Sequence, residues 1–311
     1  IGATDDDYRD AGADIVTVKE AWDCELVVKV KEVQEADLDV VPKGATIFSF
    51  HHLPGEPQRT RWLAERGVSA IAFEMVRDGR GHFPLLAPMS EIAGRMAIGI
   101  GTRLLGCKPD RVVIVGAGHA GLAAAREAVR TGSPARLFTR SEDSRRAAEE
   151  LGFDARIADC AAVAHSVPDA DLVVGAVFIP GAPTPKVLPR ELVRRMRPGS
   201  VIVDISIDAG GVAETSRPTT HADPSYVAEG VIHYCVPNIP ALDPPTAARA
   251  MSRAVLPYVF DMTYAGVAAA VRDNPELRAG VLMWQGRLNH AGIAAEAGLP
   301  YHPLDDSDLE A

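Results

Sequence analysis

Residues 111–121, Arg-Val-Val-Ile-Val-Gly-Ala-Gly-His-Ala-Gly, constrain this chain more than any other segment. A β-branched apolar run enters a turn holding Gly116, Gly118 and Gly121, and an alanine-rich stretch of helical periodicity follows. G-x-G-x-x-G alone is a weak signal. Between a buried strand and a helix, each glycine acquires a purpose. The first permits a tight turn, the second lets the backbone approach a pyrophosphate, and the third lets helix and strand pack closely. His119 and Ala120 open the helix, whose unpaired N–H groups and positive dipole end suit phosphate. The segment reads as a dinucleotide-binding βα unit. A strand–helix turn without ligand is the bland alternative.

The rest of the chain fits that unit. Short apolar runs alternate with helical stretches, which implies parallel sheets and crossovers. D-I-V-T-V, E-L-V-V-K-V-K, A-T-I-F-S-F and S-A-I-A-F-E-M-V read as strands of a first series. P-G-E-P-Q-R-T-R-W-L-A-E-R-G reads as a helix with a glycine stop. Residues 89–105 form a long helical pattern, expected to bridge two domains. A second series follows from Arg111, with strands in P-A-R-L-F-T-R, D-L-V-V-G-A-V-F, S-V-I-V-D-I-S-I-D and V-I-H-Y-C-V-P-N. The segment 245–298 reads as helical and is expected to return to the first domain. The expected fold is α/β, two doubly wound Rossmann-like domains with an active site in the cleft between them. Residues 1–86 plus 245–311 would form a substrate domain and 87–244 a dinucleotide domain.

The 311 residues are 47% hydrophobic, enough for one or two full cores. A net charge of -10 opposes binding to phosphate backbones, so nucleic acid is an unsuitable partner. Cys24, Cys107, Cys160 and Cys235 are too scattered for a metal or redox pair and read as reduced thiols, with no metal expected. Apolar runs are too short for a membrane span, so a cytoplasmic protein without membrane partners is expected. The chain begins at Ile1 and in mid-pattern, which reads as a fragment or a trimmed chain.

The tip of the second strand of a dinucleotide fold selects the cofactor. An acid there, about twenty residues on, binds the ribose 2′-hydroxyl of NAD. Here the tip is Thr139-Arg140-Ser141. Arg140 offers a bidentate fork to a 2′-phosphate, with two hydroxyls beside it, so NADP is favoured over NAD. The opposing reading leaves Arg140 in solvent and gives the ribose to Glu142 or Asp143.

Candidate chemistry sits at strand ends. Lys29 and Lys31 share one face if their strand is regular. His51 and His52 end I-F-S-F-H-H-L, where a parallel strand points side chains toward a ligand crevice and histidine titrates near neutrality. Asp208, followed by two glycines, suits proton transfer or the orientation of water. Each has an ordinary counterpart: a solvated lysine, a surface histidine, a turn-capping aspartate. Asp204, in the same run as Asp208, reads as structural.

Together, L-V-V-K-V-K-E, F-S-F-H-H-L, P-L-L-A-P-M-S-E-I-A-G-R-M-A, V-I-V-G-A-G-H-A-G-L-A-A-A, D-L-V-V-G-A-V-F-I-P-G-A-P-T-P-K and P-G-S-V-I-V-D-I-S-I-D-A-G-G-V-A-E-T-S-R-P-T-T-H-A-D-P resemble the alanine dehydrogenase family, and more distantly the transhydrogenase α subunit. The resemblance runs nearly the whole chain. It implies reversible conversion of a small L-amino acid to a 2-oxo acid and ammonium, with nicotinamide as hydride carrier, in a homo-oligomer, often a hexamer. By motif match, Lys31 would hold the substrate carboxylate or oxo group and His52 would be the acid/base. Asp208 would orient water and ammonia near the nicotinamide. Ser90 would contact cofactor phosphate, and Val177, Phe178, Ile205, Val236 and Asn238 would line the adenine and nicotinamide sites.

Three departures qualify the match. The family's N-terminal arginine that binds the substrate carboxylate precedes the start of this chain, as do an opening strand and helix. The glycine-rich segment before the dinucleotide strand is missing. Thr139 replaces the NAD-type aspartate, and His51, Pro237 and Val212 also differ. Two alternatives therefore stay open: an imine or oxo-acid reductase with another substrate, and a nucleotide-sensing module like the transhydrogenase subunit.

Overall fold

The computed structural model describes residues 1–310 and divides the chain into two compact units. One comprises Ile1–Leu86, Pro180–Ala182 and Pro244–Ala311; the other comprises Ala87–Ile179 and Pro183–Asp243. Twelve strands occur among the described residues: β1 Leu26–Val28, β2 Thr46–Ser49, β3 Ser69–Ala72, β4 Val112–Val115, β5 Ala135–Thr139, β6 Asp154–Ile157, β7 Leu172–Gly175, β8 Val201–Asp204, β9 Ser225–Ala228, β10 Val231–Tyr234, β11 Val281–Trp284 and β12 Arg287–Leu288.

The second unit is a seven-stranded sheet in the order β6-β5-β4-β7-β8-β10-β9, parallel except for the β9 edge. The strand order reverses between β4 and β7, and a ligand crevice forms at such a point, outside the carboxyl ends of the strands. Both sheet faces are covered. Val112 and Ile114 pack into one apolar cluster, Val113 and Val115 into another, as alternation along a doubly buried strand requires. The helix Ala87–Leu105 belongs to this unit and lies against the helix His119–Arg130. Gly94 allows that contact, because a Cβ there would sit 2.1 Å from the Ala120 carbonyl oxygen.

The first unit is also α/β but mixed. Its order is β1-β2-β3-β11-β12, with β1, β2 and β3 parallel and an antiparallel hairpin, β11–β12, added to β3. The expectation of an all-helical 245–298 segment is therefore corrected. The hairpin signal was present: Gln285 (φ 48°) and Gly286 (φ 81°) form a two-residue turn in V-L-M-W-Q-G-R-L.

Two other expected strands change. D-I-V-T-V is not a strand; Thr17 caps the helix Val18–Trp22. Its hydroxyl accepts from the Glu20 N–H, while the Glu20 carboxylate accepts from the Thr17 N–H at 2.9 Å. That reciprocal cap satisfies local donors a strand would leave to a distant partner. β1 also stops at Val28, so Lys29 and Lys31 both lie beyond it.

No single described helix is long and apolar enough to cross a membrane. The segment Pro180–Ala182 groups with the first unit because Gly181 lies against His290, and a Cβ on Gly181 would meet the imidazole at 2.4 Å. Gly94→Ala should destabilise the second unit by about 1–3 kcal/mol through overpacking. Urea unfolding of wild type and variant would measure it; an unchanged midpoint would contradict the close helix contact.

Candidate active site

In the second unit, the parallel strands deliver their carboxyl ends to one sheet edge. β4 runs out into Gly116 (φ 114°), whose N–H donates to the Phe138 carbonyl at 2.7 Å. A Cβ at Gly116 would lie 2.1 Å from the Ala176 oxygen, and one at Gly121 would lie 1.9 Å from the Gly116 oxygen. Only glycine permits these backbone approaches. A Cβ at Gly118 would meet nothing within 4 Å, so that side of the loop is open. Gly118 is the N-cap of His119–Arg130 and no side chain caps it. The first-turn N–H groups, from His119, Ala120 and Gly121, therefore face outward for an acceptor. The cradle fits the pyrophosphate of a dinucleotide.

Ser90 lies part-exposed on the neighbouring helix Ala87–Leu105. Glu91, the next residue, reaches His119 at 3.6 Å.

At the β5 tip, the Thr139 hydroxyl accepts from the Ser141 N–H (3.3 Å), and the Ser141 hydroxyl accepts from the Ser144 N–H (3.2 Å) as a helix cap. Arg140 is exposed and has no carboxylate partner among the described residues. Glu142 is engaged: hydrogen bonds from Arg145 and then Arg146 pull its carboxyl down to about 2. Asp143 is exposed.

Asp208 is not at a strand end. β8 stops at Asp204, and Asp208 sits exposed on a 3-10 helix, Ile205–Ala209. The carbonyls of Gly210 and Gly211 accept from the Lys186 ammonium, the latter at 2.9 Å. Ser206 accepts from the Val177 N–H at 2.8 Å, which ties the stretch with Val177 and Phe178 to the turn with Ile205 and Asp208. Asp204 is fully buried; it accepts from the Val212 N–H (2.8 Å) and the Ser216 hydroxyl (2.6 Å), and burial pushes its carboxyl up. It anchors the glycine turn that follows Asp208. Asn238 takes a left-handed backbone (φ 56°). The Val236 side chain is buried in the core, so only its backbone could line a site.

In the first unit, β2 delivers His51 and His52. His52 is part-buried at φ 45°, a left-handed conformation that is costly outside glycine. Glu74 holds it there. This buried carboxylate accepts from the His51 N–H at 3.1 Å and from the His52 N–H at 2.8 Å. The His52 ring stacks on Phe50, with centroids 5.6 Å apart. His51 points the other way, fully buried near the Ile47 carbonyl.

The two lysines separate in role. Lys29 bonds to Asp37 and lies over the Trp22 ring, a structural arrangement. Lys31 stays half-exposed and pairs loosely with Glu32 at 3.9 Å. Burial raises the Glu32 carboxyl, but the charges of Lys31 and His52 help to outweigh that and leave it below the usual carboxylate range. Lys31, Glu32 and His52 therefore share one field in this unit.

Glu74, Glu32 and Ser206 were not singled out by sequence reasoning. Glu74 carried a signal, an acid inside the otherwise apolar run S-A-I-A-F-E-M-V; Glu32 and Ser206 carried none.

Comparison with known proteins matches residues 88–291 to the C-terminal domain of alanine dehydrogenase/PNT and residues 1–93 to its N-terminal domain. The alanine dehydrogenase of Bacillus subtilis is 37% identical over 98% of this chain and 85% of its own. A solved L-alanine dehydrogenase structure superposes with a TM-score of 0.83 at 37% identity, covering 94% of this chain and 86% of its own. A transhydrogenase structure from Sinorhizobium meliloti shares the fold, with a TM-score of 0.74 at 22% identity over 93% of this chain and 86% of its own.

Burial holds the His51 and His233 imidazoles below their ordinary value of 6.5, so the fold favours their neutral forms. Below that value the unfolded chain binds more protons than the folded one. Stability is therefore fully present above about pH 6.5 and falls as the pH drops toward the folded values. The urea midpoint should be lower at about pH 5 than at about pH 8, and His51→Gln should flatten the slope. Parallel slopes in wild type and variant would remove His51 as a source.

Proposed function

The chain belongs to the alanine dehydrogenase/PNT family, and from that premise we propose that it interconverts L-alanine, or a closely related small L-amino acid, with its 2-oxo acid. The balanced reaction is L-amino acid, oxidised nicotinamide dinucleotide and water to 2-oxo acid, ammonium, reduced dinucleotide and a proton. The observation that carries this reading is His52, whose backbone N–H is held by the buried Glu74 carboxylate and whose charge, with that of Lys31, acts on Glu32, in a chain whose other unit carries a pyrophosphate cradle.

Residues 87–243 would hold the dinucleotide. Gly116, Gly118, His119, Ala120 and Gly121 would receive the pyrophosphate, with Ser90 nearby, while Val177, Phe178, Ile205 and the backbone at Val236 and Asn238 would line the base and nicotinamide positions. The nicotinamide, when bound, supplies the hydride acceptor. Lys31 pairs with the substrate carboxylate or polarises its oxo group. His52 takes a proton as water adds and returns it in the reverse direction, as a general acid/base. Asp208 orients water and ammonia. The fixed backbone of His52 keeps proton transfer within reach in every turnover.

NADP is the preferred carrier in this reading. Thr139 stands at the β5 tip, Arg140 is free to pair with a 2′-phosphate, and Glu142 is already bound by two arginines. The protein works as a cytoplasmic homo-oligomer, a hexamer by resemblance.

L-alanine-dependent reduction of NADP+ and NAD+ tests these assignments. His52→Ala should lower kcat by about 10²–10⁴-fold, and Lys31→Ala should mainly raise KM. Unchanged kcat in the His52 variant would sink its role. Arg140→Asp should shift preference toward NAD+; near-equal use of both carriers by wild type would contradict the NADP reading.

A further inference from the structure

Asp208 stands on the 3-10 helix Ile205–Ala209, and no hydrogen bond or ion pair fixes its carboxylate among the described residues. Its position is set by the backbone that carries it. On the N–H side of the turn that follows, Gly210 donates to the Ile207 carbonyl at 3.0 Å, Gly211 to the Ser206 carbonyl at 2.9 Å and Val212 to the Asp204 carboxylate at 2.8 Å. On the other side, the carbonyls of Ala209, Gly210, Gly211 and Val212 all find donors in one segment, residues 184–188. The Thr184 N–H donates to the Ala209 carbonyl at 2.8 Å, and the Leu188 N–H donates to the Val212 carbonyl at 3.0 Å. Between them the Lys186 ammonium donates to the two remaining carbonyls, those of Gly210 and Gly211.

The sequence explains why a side chain is needed there. Residues 184–188 run Thr-Pro-Lys-Val-Leu. Pro185 has no N–H to give, and the Val187 N–H folds back on the Pro185 carbonyl at 3.0 Å. The backbone ladder between the two segments therefore has a gap at two consecutive acceptors. Gly210 (φ 99°) and Gly211 (φ 79°) are both left-handed, and one ammonium with its three donors serves both carbonyls. Lys186 is an exposed residue and makes no salt bridge among the described residues. With two donors engaged by carbonyls, it is poorly equipped to bind a substrate carboxylate itself.

We propose, on the reading that Asp208 orients water and ammonia, that Lys186 is a positioning residue for the reaction: its ammonium clamps the turn after Asp208 and so holds the Asp208 carboxylate in place. Lys186 acts through the backbone of residues 208–211 and not on the substrate. Asp204 secures the same turn from its buried side, so the turn is held between a carboxylate on its N–H groups and an ammonium on its carbonyls.

Lys186→Met keeps the apolar stem and removes the donors. Hydrogen exchange of the full chain, read by mass spectrometry, tests the clamp. The amides of Gly210, Gly211 and Val212 should exchange about tenfold faster or more in the variant, while those of β4 stay unchanged. Steady-state oxidation of L-alanine tests the link to the reaction. kcat should fall by about tenfold to a hundredfold, with KM for L-alanine within about twofold of wild type. In an Asp208→Asn background the same substitution should change the residual kcat by less than about twofold, as for a residue that acts through Asp208. Equal exchange at residues 210–212 in wild type and Lys186→Met would overturn the clamp, whether or not the chain turns over L-alanine. Faster exchange with unchanged kcat, or an equal loss of kcat with and without Asp208, would overturn the link to the reaction. A wild-type chain inactive on every small L-amino acid would overturn the dehydrogenase reading and the link with it, and the exchange result would still decide the clamp.

Discussion

Backbone meets backbone with no side chain between them at three points in the second unit: Gly116 against Ala176, Gly121 against Gly116, and Gly94 against Ala120. These approaches close β4 onto β7 and seat two helices on the sheet. They also leave the helix His119–Arg130 with an uncapped amino end at the point where strand order reverses. A Cβ at any of the three would force the elements apart and close or misdirect the cradle.

The first unit solves a different problem. It holds His52 in a left-handed backbone conformation that is uncommon outside glycine. Glu74 accepts both consecutive N–H groups, so the strain at His52 is offset by two charge-assisted hydrogen bonds in a buried place. The backbone there is over-determined by two hydrogen bonds to one buried carboxylate. Asp204 plays the matching part in the other unit: buried and anchored to Val212 and Ser216, it fixes the turn that carries Asp208.

Much of this was legible before any coordinates. Short continuous runs of valine and isoleucine announced the parallel strands, and G-A-G-H-A-G in its strand–helix setting announced the cradle. What escaped was decided by partners distant in sequence or by local capping. The β11–β12 hairpin was hidden because Gln-Gly is a weaker turn signal than Asn-Gly. The false strand at D-I-V-T-V lost to the Thr17–Glu20 cap. Asp208 was misplaced because β8 and its 3-10 extension share one apolar run. Glu74 was passed over because an acid within S-A-I-A-F-E-M-V says nothing, by itself, about which N–H groups it will receive 22 or 23 residues away.

The central claim is hydride transfer between a substrate α-carbon and nicotinamide. Its most direct measurement is the fate of the label when α-deuterated L-alanine is oxidised by the chain with NADP+ or NAD+. The account predicts deuterium on the nicotinamide ring of the reduced carrier and pyruvate with ammonium as co-products. Label released to water, or no reduced carrier with any small L-amino acid, would contradict it.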